Sequence, residues 1–156
     1  MQNERIVDFW RRACRAVPDL PADAAYQVWH FGDGAALARE LADLVLLGPK
    51  CATAGLLWEA ESDANAMPVL GGYSVVTDGN GAPLMVLRTA HVEIRPFGEV
   101  DADFAAAEGD GDGSLEYWRH AHWSYFSRRC EVLGRTPSEE MPVILERFEL
   151  IFPVRR

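Results

Sequence analysis

A chain of 156 residues that is 49% hydrophobic and 25% charged fits one ordinary globular domain and excludes a disordered or fibrous protein. Its formal charge of -9 opposes nonspecific attraction to a polyanion, so long duplex DNA is a poor partner, whereas a short single strand or a small uncharged nucleoside is compatible. No apolar run approaches a membrane span, Met1 to Arg12 lacks the apolar centre of a signal peptide, and three scattered cysteines frame neither disulfides nor a zinc knuckle, which together predict a cytoplasmic protein with no membrane partner.

Glu4 to Val17 sets Ile6, Val7, Phe9, Trp10, Cys14 and Val17 on a broad apolar stripe, which predicts a helix ended by Pro18 and Pro21. Tyr26 to Phe31 reads as a short strand or an aromatic loop before the break at Gly32-Asp33-Gly34. From Ala35 to Leu47 the leucines and Val45 recur at helical spacing, and Gly48-Pro49 is a stop signal. Ala52 to Glu61 predicts another helical turn or two. Tyr73 to Thr77 and Leu84 to Ile94 flank the turn signal Asp78-Gly79-Asn80-Gly81 and predict a hairpin.

Asp101 to Ala107 predicts a short helix with an acidic start. Leu115, Trp118, His122, Tyr125, Cys130 and Leu133 then keep helical register from near Ser114 to Gly134, and Val143 to Val154 has the alternation of a final strand. The order predicts an α+β domain with an antiparallel sheet or small barrel, whose additional strands would fall at Tyr26 to Phe31 and Arg88 to Arg95.

Lys50 is the sole lysine among fifteen basic residues. Arginine stays protonated in proteins, whereas a lysine amine can act as a base or polarise an oxygen, so one retained lysine just past a helix stop marks a candidate site. Thr53 follows three residues later and would share its side if the chain turned helically there. Cys51 reads as a small buried hydrophobe.

The loop Glu108-Gly109-Asp110-Gly111-Asp112-Gly113-Ser114 places ligands badly for a calcium-binding EF-hand in either register. Its acids suit the start of the following helix, with Asp112 or Ser114 as cap, and one carboxylate facing Lys50 would complete a proton-transfer unit with Thr53. His122 shares the apolar register and reads as a satisfied core histidine rather than a ligand. Arg119 and His120 fall on an exposed flank.

The helix Ala38 to Leu47, the Gly48-Pro49-Lys50-Cys51-Ala52-Thr53 segment, the Gly71-Gly72-Tyr73 strand entry and the run from Phe104 through the acidic loop to Tyr117-Trp118 together resemble the ASCH domain, in its bacterial subgroup with the Glu-Gly-rich loop. The likeness spans roughly Tyr26 to Val154, leaving residues 1–25 as a helical extension that covers the barrel or mediates a homodimer. The resemblance implies a PUA-like small β-barrel with flanking helices, a scaffold associated with RNA.

The resemblance implies ribonuclease activity for members that look like this one and, for smaller relatives, amidohydrolase activity that removes an acyl group from the N4 nitrogen of cytidine. A ribonuclease on single-stranded RNA leads slightly, with the modified nucleoside and a noncatalytic RNA- or nucleotide-binding module as alternatives. The resemblance makes Lys50, Thr53 and either Glu108 or Asp110 the catalytic candidates. Gly55 stands where the family motif often has an arginine, so Arg88, Arg95 or Arg119 would have to replace that charge. Arg88, Arg119, Trp118, Tyr73 and Ser114 are the candidate substrate contacts. No cofactor is required, although Asp110 and Asp112 offer ligands for a divalent metal.

Overall fold

A computed structural model describes residues 4–63 and 67–155. The elements run α1 (Glu4–Ala16), β1 (Tyr26–Trp29), α2 (Ala35–Leu47), β2 (Ala52–Leu56), α3 (Leu57–Ser62), β3 (Tyr73–Thr77), β4 (Pro83–Pro96), a 3-10 turn (Phe97–Glu99), α4 (Ala102–Glu108), α5 (Leu115–Leu133) and β5 (Pro142–Phe152).

Five strands form one sheet in the order β1-β3-β4-β5-β2. The β1–β3 pair is parallel and the other three pairs are antiparallel, so the expected antiparallel sheet gains one parallel edge. The α+β, PUA-like expectation stands, with the sheet left open rather than closed by pairing of β1 with β2. The segment expected as a separate strand near Arg88 is the continuation of β4.

Strand alternation divides the core. Val75 and Val86, paired across β3 and β4, receive Ile6, Phe9, Trp10 and Ala13 of α1, an i, i+3, i+4, i+7 stripe. Their neighbours Val76, Met85 and Leu87 join Phe148 in packing against Ala42 and Val45 of α2. A third cluster seats Phe104 of α4 and Trp118, Phe126 and Cys130 of α5 on Val143 and Leu145 of β5. The intervening Ile144 and Glu146 therefore project from the other side of β5, toward an open cleft.

One expected helix is a strand. Ala52 to Leu56 carries Ala and Leu, good helix formers, yet pairs residue for residue with β5, from Ala52 opposite Arg147 to Leu56 opposite Val143. Burial of Ala52 and Leu56 under α4 and α5 outweighs a propensity difference of less than about 1 kcal/mol per residue. Only α3, after Leu56, is helical.

Candidate active site

Two helix ends bring the charged groups together. Gly48 ends α2 at a φ of 72°, its N–H donating to the Val45 carbonyl, and the Lys50 N–H then donates to the Leu44 carbonyl at 3.2 Å. On the other side, Glu108 closes α4, and Gly109 takes a left-handed φ of 65° that only glycine adopts readily. A Cβ on Gly109 would lie 2.8 Å from Pro49 Cγ, so the missing side chain lets the acidic loop approach residues 49 and 50. The Cys51 N–H fixes that approach by donating to the Ala107 carbonyl at 2.8 Å.

The Lys50 side chain is 1% exposed. Its Nζ donates to Glu108 Oε1 at 2.9 Å and to Asp110 Oδ1 at 3.4 Å, and lies 5.5 Å from the centre of the Phe31 ring. Glu108 is held on both oxygens. Its Oε2 accepts from the Trp118 indole N–H and lies 3.0 Å from His122 Nε2, while His122 Nδ1 contacts the Trp118 carbonyl at 2.9 Å. The His122 and Trp118 rings stack at 4.2 Å.

Environment separates the two carboxyls. Burial alone would raise Glu108, but the charges of Lys50 and His122 and their hydrogen bonds outweigh it and bring its pKa from 4.5 to about 2. For Asp110 burial wins: desolvation and the nearby Glu108 charge push its pKa above the ordinary value against the pull of Lys50. Glu108 is thus held as an anion, whereas burial favours the protonated form of Asp110.

Lys50, Thr53, Glu108 and Asp110 all line one pocket of about 150 Å³, together with Phe31, Tyr117, His122 and Tyr125. Thr53 reaches it from the extended strand β2, not from a helical turn. A larger compartment of about 290 Å³ adjoins it, with Phe31, Gly32, Thr53, Ala54 and Tyr125 lining both.

The ASCH domain model matches residues 27–152. The chain belongs to the ASCH domain family. An ASCH domain structure from Lactobacillus crispatus is 32% identical, with a TM-score of 0.87 over 96% of each chain. A protein from Enterococcus faecalis is 29% identical, with a TM-score of 0.82 over 96% of this chain and 91% of its own. A hypothetical protein at 13% identity and a TM-score of 0.51 shares the fold alone. No functionally curated protein matches. ASCH domains are generally of an RNA-binding fold. Among the described residues no helix is long and apolar enough to cross a membrane.

Several expected substrate contacts of this ASCH domain lie elsewhere. Arg88 is exposed on β4, 3.9 Å from Glu149. Arg119 points back to the Gly98 and Val100 carbonyls at 3.0 and 3.4 Å, tying α5 to the 3-10 turn. Arg95 pairs with Glu93. Tyr73 packs edge-on to Trp10 beneath α1. Ser114 caps α5 by accepting from the Tyr117 N–H at 3.1 Å, and exposed Asp112 accepts from the Ser114 N–H at 2.9 Å. Trp118 is buried and acts through Glu108, not on the cleft. Cys51 is exposed, not buried.

His122 is satisfied, as its apolar register suggests, yet it also lines the pocket and braces Glu108. Glu146 had no signal in the sequence, because its place on the cleft wall follows from pairing with Thr53.

Glu108, Asp110 and His122 bring oxygen and nitrogen ligand atoms within 4.8 Å of one another. They do not fit a resident divalent cation: the Lys50 amine already sits against both carboxylates, and both His122 nitrogens are engaged. Asp112, turned into the cap, is not among these donors.

Proposed function

We propose that this ASCH domain hydrolyses the N-acyl bond of a small acylated nucleoside, of the N4-acylcytidine type. The observation that carries the reading is the buried Lys50–Glu108–Asp110 cluster, which lines one aromatic pocket together with Thr53. A carboxylate paired with an amine beside a hydroxyl offers the general base that activates a weak nucleophile.

In this reaction Thr53 Oγ1 attacks the acyl carbon, and its proton passes to the Lys50–Asp110 unit. Glu108 stays ionised and keeps the Lys50 amine in place. The carbon–N4 bond breaks with its electron pair on nitrogen, which takes the proton from the same unit and leaves as cytidine. Water then attacks the Thr53 ester, loses its proton to that unit, and releases the carboxylic acid and the free hydroxyl.

Ribonuclease activity, slightly favoured by the sequence, fits the cleft less well. Glu40, Glu59, Asp63, Glu108, Asp110 and Glu146 line the two compartments, and Lys50 is the one lysine or arginine among the described lining residues. A phosphodiester would meet carboxylates there, and Arg88 and Arg119 lie off the cleft. A noncatalytic module that grips phosphate would present Lys50 exposed and free of carboxylates, the reverse of this geometry.

The test is incubation of the protein and Lys50→Ala with N4-acetylcytidine and, separately, labelled single-stranded RNA, with and without chelator. Cytidine release by the wild type alone, insensitive to chelator, is expected. RNA cleavage without cytidine release would overturn the proposal.

A further inference from the structure

Glu146 stands beside Thr53 on the cleft wall. The two are directly opposed in the antiparallel β2–β5 ladder, so their side chains project on the same side of the sheet. Both line the larger compartment with Gln27, Trp29 and Tyr125. Glu146 is 7% exposed, and Thr89 Oγ1 donates to its Oε2 at 2.6 Å. Among the described residues no lysine or arginine pairs with it, and burial pushes its carboxyl above the ordinary value against the Thr89 hydrogen bond. In its protonated form a carboxyl presents an O–H donor next to an oxygen acceptor.

That two-point pattern has a complement in the nucleoside class named above. The Watson–Crick edge of an N4-acylated cytosine carries an acceptor nitrogen, N3, adjacent to the N4–H donor, and the acyl carbonyl is attached at the same N4. We propose that Glu146 is the specificity-determining residue of the cleft, pairing with the N3 and N4–H edge of the base while Thr53, on the neighbouring strand, meets the acyl carbon. The inference rests on the nucleoside reading of the site and adds to it the residue that selects the base. A cleft that hydrogen-bonds a defined edge rejects analogues lacking it, because its own buried polar group is then left unpaired.

The test uses the full chain in a Thr53→Val background, which prevents turnover, with calorimetric titration of N4-acetylcytidine and of its 3-deaza analogue, in which C–H replaces N3. Glu146→Gln keeps a donor and an acceptor and should hold the Kd within about threefold, whereas Glu146→Leu should weaken N4-acetylcytidine by about tenfold or more. The 3-deaza compound should bind the parent about tenfold more weakly and lose less than N4-acetylcytidine on Glu146→Leu, because only its N4–H contact remains to be lost.

Equal losses for both ligands, no loss in Glu146→Leu, or no binding to the parent overturns the inference. Should Glu146→Leu fail to fold by circular dichroism, the parent's discrimination between the two ligands decides: tenfold supports the inference and parity overturns it. Cytidine release by the chain with Thr53 intact is measured alongside. Glu146-dependent binding without release would defeat the hydrolase reading alone, and release with binding indifferent to Glu146 would defeat this inference alone.

Discussion

Glu108→Gln deletes one charge and almost no volume. The Lys50 amine, the Trp118 indole and His122 Nε2 all face this carboxylate, so a neutral amide leaves Lys50 with Asp110 alone, at 3.4 Å. Holding the carboxyl at about 2 rather than 4.5 corresponds to about 3 kcal/mol of folded-state stability, at about 1.4 kcal/mol per pH unit. Because the folded value lies below the unfolded one, this contribution is complete above 4.5 and is lost as pH falls toward about 2. Asp110 has the opposite sign: its raised folded value means that protonation on acidification relieves the native state. Urea unfolding near neutral pH should find Glu108→Gln less stable by about 3 kcal/mol, a loss of the size seen when one partner of a buried pair is removed. The gap should narrow as both proteins are taken to about pH 3. A difference under about 0.5 kcal/mol at neutral pH, or one independent of pH, would refute the assignment of Glu108 as the buried anion that holds Lys50.

Gly109→Ala forces a Cβ to 2.8 Å from Pro49 Cγ at a φ of 65°, and should cost about 1–3 kcal/mol by denaturant unfolding while reducing turnover. Trp118→Phe keeps a ring against Phe97 and His122 but removes the N–H on Glu108, so a loss of about 1–3 kcal/mol is expected in the same assay. Lys50→Arg preserves charge and removes the exchangeable amine, and kcat should fall by about a hundredfold or more although a cation is retained.

The parts of the site legible in the sequence were those carried by local chemistry. A single lysine after a helix stop and an acidic, glycine-rich loop before a long helix identified the two segments that meet at Lys50, Glu108 and Asp110. The loop itself left open which carboxylate faces the amine, and both do. What was not legible depended on nonlocal pairing. The helix-forming residues of Ala52 to Leu56 became a strand because β5 supplied a partner. Arg88 and Arg119 have the right charge for substrate contacts, but strand register and helix rotation aim them at Glu149 and at two backbone carbonyls. Tyr73 is spent on α1, whose packing against the sheet no local pattern announces. Glu146 enters the cleft only through its register with Thr53.

The most direct test of Thr53 as the nucleophile beside the buried Lys50 is kcat/KM for cytidine release from N4-acetylcytidine by the wild type and by Thr53→Val, a change that keeps the shape of the strand residue and removes its hydroxyl. Release by the wild type and a loss of about a thousandfold or more in the variant are predicted, as for removal of a nucleophile. Undiminished release by Thr53→Val, or no release by the wild type, would contradict the account.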